Sequence, residues 1–203
     1  MSHSFTDYVQ TFVDVLKSVA ATDGRGESIG VDAGIGRVHQ AMRNVARGTG
    51  KVMFVGNGGS AGIAGHLAID FAKNGGVRAV TFNDASSLTC LGNDLGYDQV
   101  FAKQVEMQGF PGDVLVAISS SGRSANILNA VRAAKEMNCE VVTLSGFSYD
   151  NPLRKMGDVN FFVDAAVYGF VETAHQTILH AILDTAMGWT TATKATQPSA
   201  AMR

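Results

Sequence analysis

The chain of 203 residues is long enough for one domain with a substantial buried core, and 46% of its residues are hydrophobic whereas only 17% are charged. So low a share of charged residues predicts that part of the surface is buried in an oligomer. The formal net charge of -2 provides no basic field of the kind that binds a phosphate backbone, which argues against nucleic acid as a ligand.

The first part of the chain, residues 4–48, predicts two amphipathic helices. Apolar residues recur at helical spacing from Phe5 to Val19, and a glycine-containing break follows at 22–28. A second apolar stripe runs from Val31 to Val45 and ends at Gly48. Two helices therefore precede the first predicted strand.

From Lys51 onward, short apolar runs alternate with segments of helical length. The runs are apolar on both faces, which is typical of strands in a parallel sheet that helices cover on both sides. The predicted strands are Val52–Val55, Ala79–Phe82, Val114–Ile118, Val141–Leu144 and Val159–Val163. The predicted helices are Ser60–Lys73, Tyr97–Gln108, Ser124–Met137 and Phe170–Met187. This alternation predicts an α/β fold with a doubly wound, flavodoxin-like, five-stranded parallel sheet.

We expect a single domain over residues 1–189, followed by a disordered tail at 190–203, which is small, polar and aperiodic. Cys90 and Cys139 have no close cysteine or histidine partner in sequence, so they predict neither a disulfide framework nor a zinc finger. No apolar stretch approaches the length of a membrane span, and residues 1–14 lack the pattern of a secretory signal. These features predict a cytoplasmic protein without a membrane partner.

The loop after the first predicted strand, Gly56-Asn57-Gly58-Gly59-Ser60-Ala61, leads directly into a helix. Glycines let a backbone approach an anion closely, and a helix N-terminus offers unpaired N–H groups. The same glycine pattern also fits a dinucleotide site, with Asp84 after the second strand as a candidate ribose ligand. A tight turn without any ligand is a third alternative.

The loop after the third predicted strand, Ser119-Ser120-Ser121-Gly122-Arg123-Ser124-Ala125-Asn126, also opens a helix. A helix cap needs one hydroxyl, and this loop supplies four. A second loop of this kind is not required by a dinucleotide site. The pair of loops therefore favours a sugar phosphate, with no nucleotide cofactor.

Together with Gly92-Asn93-Asp94 and Gly96, these two loops resemble the signature loops of the SIS (sugar isomerase) family, in the same order. The resemblance extends over about residues 4–187 and is nearest to the phosphoheptose isomerases. It implies conversion of sedoheptulose 7-phosphate to a D-glycero-D-manno-heptose 7-phosphate through an enediol, in a homotetramer with shared sites. The substrate-binding residues that it implies are Asn57, Gly58, Ser60, Asp94, Ser119, Ser120, Ser121 and Ser124.

His66 and Asp70 are four residues apart on a predicted helix, so both side chains emerge on one face about one turn from each other. The resemblance implies that Asp70 is the catalytic base and that, in metal-containing members, the carboxylate also binds zinc. The family has a glutamate at this position, so the side chain here is one methylene shorter. A surface ion pair with Lys73 is the alternative role for Asp70.

The last predicted helix carries Glu172, His175 and His180. The resemblance implies that Glu172, at the place of a family glutamine, and His180 are catalytic, whereas a lone buried histidine such as His175 usually has a structural role. One divalent cation, zinc by resemblance, would have His66, Asp70, Glu172 and His180 as candidate ligands. Glu172 and His180 are eight residues apart, which is about 12 Å along a regular helix. They can therefore bind the same ion only if Glu172 precedes the regular helix or if they come from different subunits.

Three departures from the family pattern leave the substrate open. Glu172 replaces an amide, Asp70 is shortened, and Gly169 stands at the position of a family aspartate. Another aldose or ketose phosphate therefore remains an alternative to a heptose phosphate. A non-catalytic SIS module, similar to the paralogue that binds the replication initiator, is the alternative from another functional class.

Overall fold

The computed structural model describes residues 4–188, which form a six-stranded sheet with seven α-helices around it. The helices are α1 (Phe5–Lys17), α2 (Val31–Arg47), α3 (Gly59–Lys73), α4 (Ala85–Leu95), α5 (Val100–Gln108), α6 (Ala125–Glu136) and α7 (Tyr168–Ala186). The strands are β1 (Ala20–Asp23), β2 (Val52–Gly56), β3 (Ala79–Thr81), β4 (Val114–Ser119), β5 (Glu140–Ser145) and β6 (Val159–Phe162). The tail predicted at 190–203 lies outside the described residues.

The sheet has the strand order β1-β6-β5-β4-β2-β3, and the five strands predicted from the sequence are all parallel to one another. Alternate residues of β2 enter different cores. Phe54 packs in the core formed with α2, α3 and α7, whereas Met53 packs in the core formed with α5 and α6. Because each face of the strand is buried against helices, the two-sided apolar runs of the sequence are explained.

The sixth strand, β1, was not predicted and pairs antiparallel with β6, with Ala20 opposite Phe162. It lies at the edge of the sheet and follows α1 after a short turn. Its last residue, Asp23, falls in the segment that the sequence marks as a break. This strand adds an antiparallel edge to the five parallel strands.

Helix α4 was also not predicted, and its first residues explain Asp84. The Asp84 carboxylate accepts hydrogen bonds from the Ser87 backbone N–H at 2.9 Å and from the Ser87 hydroxyl at 3.0 Å, so it caps this helix. These hydrogen bonds lower the pKa of Asp84. The carboxylate considered as a ribose ligand thus has a structural role here.

The parallel arrangement brings the two signature loops together, because β2 and β4 are neighbours and their carboxyl ends lie at the same edge. Among the described helices, none is both long and apolar enough to span a bilayer.

Candidate active site

A cleft of about 260 Å³ opens where β2 and β4 end. With the exception of Asp94, the substrate-binding residues predicted from the sequence all line it. The lining consists of Asn57, Gly58, Gly59, Ser60, Ile118, Ser119, Ser120, Ser121, Ser124, Tyr168 and Glu172. Asp94 instead lies exposed on α4, where it accepts a weak hydrogen bond from the Cys90 thiol at 3.6 Å.

The first loop presents the uncapped N-terminus of α3 to the cleft. Gly58 is the N-cap residue, with φ of 54°, and it has no side chain to accept from the first N–H groups of the helix. A β-carbon on Gly56 would lie 2.5 Å from the Ser60 carbonyl oxygen, so only glycine permits this tight turn. The N–H groups of Gly59 and Ser60, together with the partial positive charge of this helix end, are therefore available to an anion.

The second loop supplies hydroxyls that helix capping does not consume. Ser124 is the N-cap of α6 but makes no capping hydrogen bond, and its Oγ instead accepts from the Ser119 hydroxyl at 3.4 Å. Ser120 is 5% exposed, and its Oγ is buried without a hydrogen-bond partner among the described residues. Such a group typically destabilises a folded protein by about 1–3 kcal/mol, so this hydroxyl is well suited to a polar ligand.

A pair of amides joins the two loops. Asn57 Nδ2 donates to Asn126 Oδ1 at 2.9 Å, and Asn126 Nδ2 donates to Asn57 Oδ1 at 2.9 Å. The Tyr97 hydroxyl also donates to Asn57 Oδ1, at 3.2 Å. Asn57, predicted as a ligand of the substrate, thus holds the two loops at a fixed separation.

A second cluster consists of His66, Asp70 and His180, whose ligand atoms all lie within 4.8 Å of one another. His66 Nε2 is 3.4 Å from Asp70 Oδ2, and the two imidazole rings are 5.3 Å apart between centroids. Among the ion pairs of residues 4–188, Asp70 pairs with His66 and not with Lys73. Two imidazoles and a carboxylate are ligands that zinc accepts, and they are also groups that transfer protons near neutral pH.

Glu172 does not belong to this cluster within one chain. Helices α3 and α7 run side by side in the same direction, with Glu172 against Gly59 and His180 against His66. Because α7 is continuous, Glu172 lies about 12 Å from His180 along the axis. The structure therefore brings three of the four candidate metal ligands together and places Glu172 at the cleft.

His175 is fully buried, and its Nε2 lies 3.1 Å from the Ser145 carbonyl oxygen. Since a carbonyl can only accept, Nε2 carries the proton. Burial lowers the pKa of His175 to about 4, so the imidazole is neutral at pH 7. This environment matches the structural role expected for His175.

Sequence patterns missed Tyr168, which lines the cleft, and Asp184, which lies one turn beyond His180. Burial raises the pKa of Asp184, the charge of His180 lowers it, and the charge of Asp70 raises it. Together they raise the pKa of Asp184 above its ordinary value, with burial as the largest cause. The spacing of four residues from His180 is the signal that could have identified it.

A doubly wound sheet with a hydroxyl-rich cleft at the ends of two neighbouring strands defines an α/β protein suited to a small anionic ligand. The family model of the SIS domain matches residues 8–146, and the chain belongs to this family.

The chain is similar to several proteins named phosphoheptose isomerase. It is 39% identical over 165 residues to a phosphoheptose isomerase of Thiobacillus denitrificans, covering 75% of this chain and 83% of the relative. It is 30% identical over 189 residues to a phosphoheptose isomerase of Shewanella baltica, covering 89% and 90%. The solved phosphoheptose isomerase of Neisseria gonorrhoeae matches with a TM-score of 0.75 and 32% identity, covering 89% of this chain and 94% of that one.

Proposed function

We propose that this protein is an aldose–ketose isomerase that converts sedoheptulose 7-phosphate to a D-glycero-D-manno-heptose 7-phosphate. The names of its relatives support this substrate. The observation that carries the proposal is the buried hydroxyl of Ser120, which has no partner within residues 4–188, in a cleft that also contains the open N-terminus of α3. Both features are complementary to a phosphate group.

The second cluster supplies the groups that isomerisation requires. A base removes the proton from the carbon beside the carbonyl, and an acid moves protons between the oxygens through an enediol. Asp70 is the proposed base and His180 the proposed acid. His66 lies seven residues beyond Gly59 on α3, about 10 Å along the helix axis. An extended sugar phosphate would therefore have its phosphate group near Gly59 and its reacting carbons near His66.

A zinc ion is part of the proposal because the donor atoms of His66, Asp70 and His180 fit its preferences. When bound, such an ion would polarise the carbonyl and stabilise negative charge on oxygen. The residues themselves orient the sugar and exchange its protons.

We further propose a cytoplasmic homotetramer whose subunits share sites. The exposed apolar side chains of α1 support an oligomer: Phe5 is 81% exposed, and Tyr8 and Val9 are also exposed. Within each subunit, Glu172 lies at the cleft, apart from His66, Asp70 and His180.

The test is to incubate the purified protein with sugar phosphates of five to eight carbons, with and without chelator, and to follow aldose–ketose exchange by NMR. We expect exchange of the heptose phosphate, its loss in His180→Ala and Asp70→Ala, and mainly weaker substrate binding in Ser121→Ala. Unchanged turnover in both of the first two variants would remove the assignment of acid and base. Absence of exchange for every sugar phosphate would favour a non-catalytic SIS module.

A further inference from the structure

Glu172 brings a negative charge into the cleft that the proposed function assigns to a phosphate group. Its side chain is partly buried on α7 and lines the same cleft as Ser120. A β-carbon built on Gly59 would lie 2.5 Å from Glu172 Oε2 and 2.6 Å from Oε1. The carboxylate therefore lies directly against the first residue of α3, and the absence of a side chain on Gly59 makes room for it.

The first turn of α3 stabilises whichever anion is next to it. Gly58 provides no capping side chain, so the N–H groups of Gly59 and Ser60 have neither a partner among the described residues nor a cap. Negative charge at this end of a helix is also favoured by the helix dipole. The Glu172 carboxylate lies beside this end of the helix, but no hydrogen bond from α3 to it is formed among the described residues.

The charge of Glu172 is not neutralised by a neighbouring cation. Among the ion pairs within residues 4–188, none includes Glu172. Arg123, the cation of the serine-rich loop, has its Nη2 2.9 Å from Asp150 Oδ1. A phosphate group entering the cleft would therefore meet an uncompensated like charge.

We infer that the charge of Glu172 opposes the binding of the phosphate group, an inference that rests on the proposed function. The carboxylate lies beside the anion-binding end of α3, where its charge repels a phosphate group that binds next to Ser120. A sugar without a phosphate group is not repelled by this charge, so Glu172 selectively weakens the binding of phosphorylated ligands.

The experiment is a calorimetric titration of the full chain with inorganic phosphate at fixed pH and ionic strength. Glu172→Gln keeps the size of the side chain and removes its charge, so we expect it to bind phosphate about tenfold more tightly than the wild type. Glu172→Ala should tighten binding as well. Glu136→Gln is the matched control, since it removes an exposed carboxylate at the far end of α6 and should leave the affinity unchanged.

Equal or weaker phosphate binding by Glu172→Gln, beside measurable binding by the wild type, would overturn the inference and leave the proposed function standing. Equal tightening in Glu136→Gln would also overturn it, because the effect would then follow net charge. If phosphate binds to neither the wild type nor the Glu172 variants, the cleft is not a phosphate site, and the proposed function fails together with the inference.

Discussion

At the scale of single residues, His175 shows how burial fixes the protonation of a side chain without giving it a catalytic role. The imidazole lies under the sheet, with the Ser145 carbonyl as the hydrogen-bond acceptor for Nε2. Its Nδ1 is buried without a partner among the described residues. Protonation of Nδ1 would place a charge in a fully buried position away from solvent, which is why burial lowers the pKa of His175 to about 4.

His175 predicts a loss of stability in acid. The imidazole of the unfolded chain has a pKa near 6.5, whereas that of the folded chain is about 4. Between these two pH values, the unfolded state binds a proton and the folded state does not. The contribution of His175 to the free energy of unfolding is complete above pH 6.5 and falls as the pH decreases, by roughly 2–3 kcal/mol at pH 4.5. Urea unfolding at pH 7.5 and 4.5 should show that the wild type loses about this much more free energy of unfolding than His175→Gln. Equal losses would contradict the assignment of a neutral, buried imidazole.

At the scale of elements, the serine-rich loop is held by residues that follow β5. Gly122 has φ of 62°, and a β-carbon there would overlap the Asn151 side chain. Asn151 is fully buried, donates to the Ser148 carbonyl at 2.8 Å and accepts from the Arg154 backbone N–H at 3.0 Å. The turn of the loop is therefore packed against a fixed amide.

Gly122→Ala and Gly26→Ala together measure this packing. Both glycines have positive φ, but a β-carbon on Gly26 would meet nothing within 4 Å. Gly26→Ala should lower stability by about 1–2 kcal/mol through backbone strain alone. Gly122→Ala should lower it further and also weaken phosphate binding, as thermal unfolding and calorimetry can show. Equal effects of the two substitutions would mean that the amide does not support the loop.

Prediction from the sequence succeeded where the signal is local. The parallel strands appear as two-sided apolar runs, and the loops that follow β2 and β4 appear as a glycine cluster and a serine cluster. Strand β1 has four residues and depends on an antiparallel partner some 140 positions away, so no local pattern identifies it. Helix α4 contains Gly92 and follows the loop-like Asn83-Asp84, which hid it as well.

In the candidate site too, some positions follow from local spacing in the sequence and others depend on tertiary packing. His66 and Asp70 are on one helix, so their spacing alone predicts that they meet. The position of Glu172 depends on how far α7 is displaced along α3, which is a property of packing between helices distant in sequence. For that reason the sequence grouped Glu172 with His180, whereas in the structure it contacts Gly59.

At the scale of the whole molecule, α1 is an amphipathic helix without any buried residue. Tyr8 stacks on Phe170 of α7 with ring centroids 4.6 Å apart, while Phe5 and Val9 remain exposed on α1. Exposed aromatic and aliphatic groups at i and i+4 form one apolar stripe. Such a stripe on a domain with few charges is typical of a surface that another subunit covers.

If α1 is a subunit interface, Phe5→Ser with Val9→Ser should convert the proposed tetramer to smaller species, because burial of this stripe would no longer favour association. Light scattering after size exclusion measures the mass, and turnover of the heptose phosphate measures whether the sites are shared. Met107→Ser is the control, since Met107 is 57% exposed on α5 and its replacement should change neither quantity. A tetramer of unchanged mass in the double variant would show that α1 does not hold the subunits together, and smaller species with full turnover would show that each subunit carries a complete site.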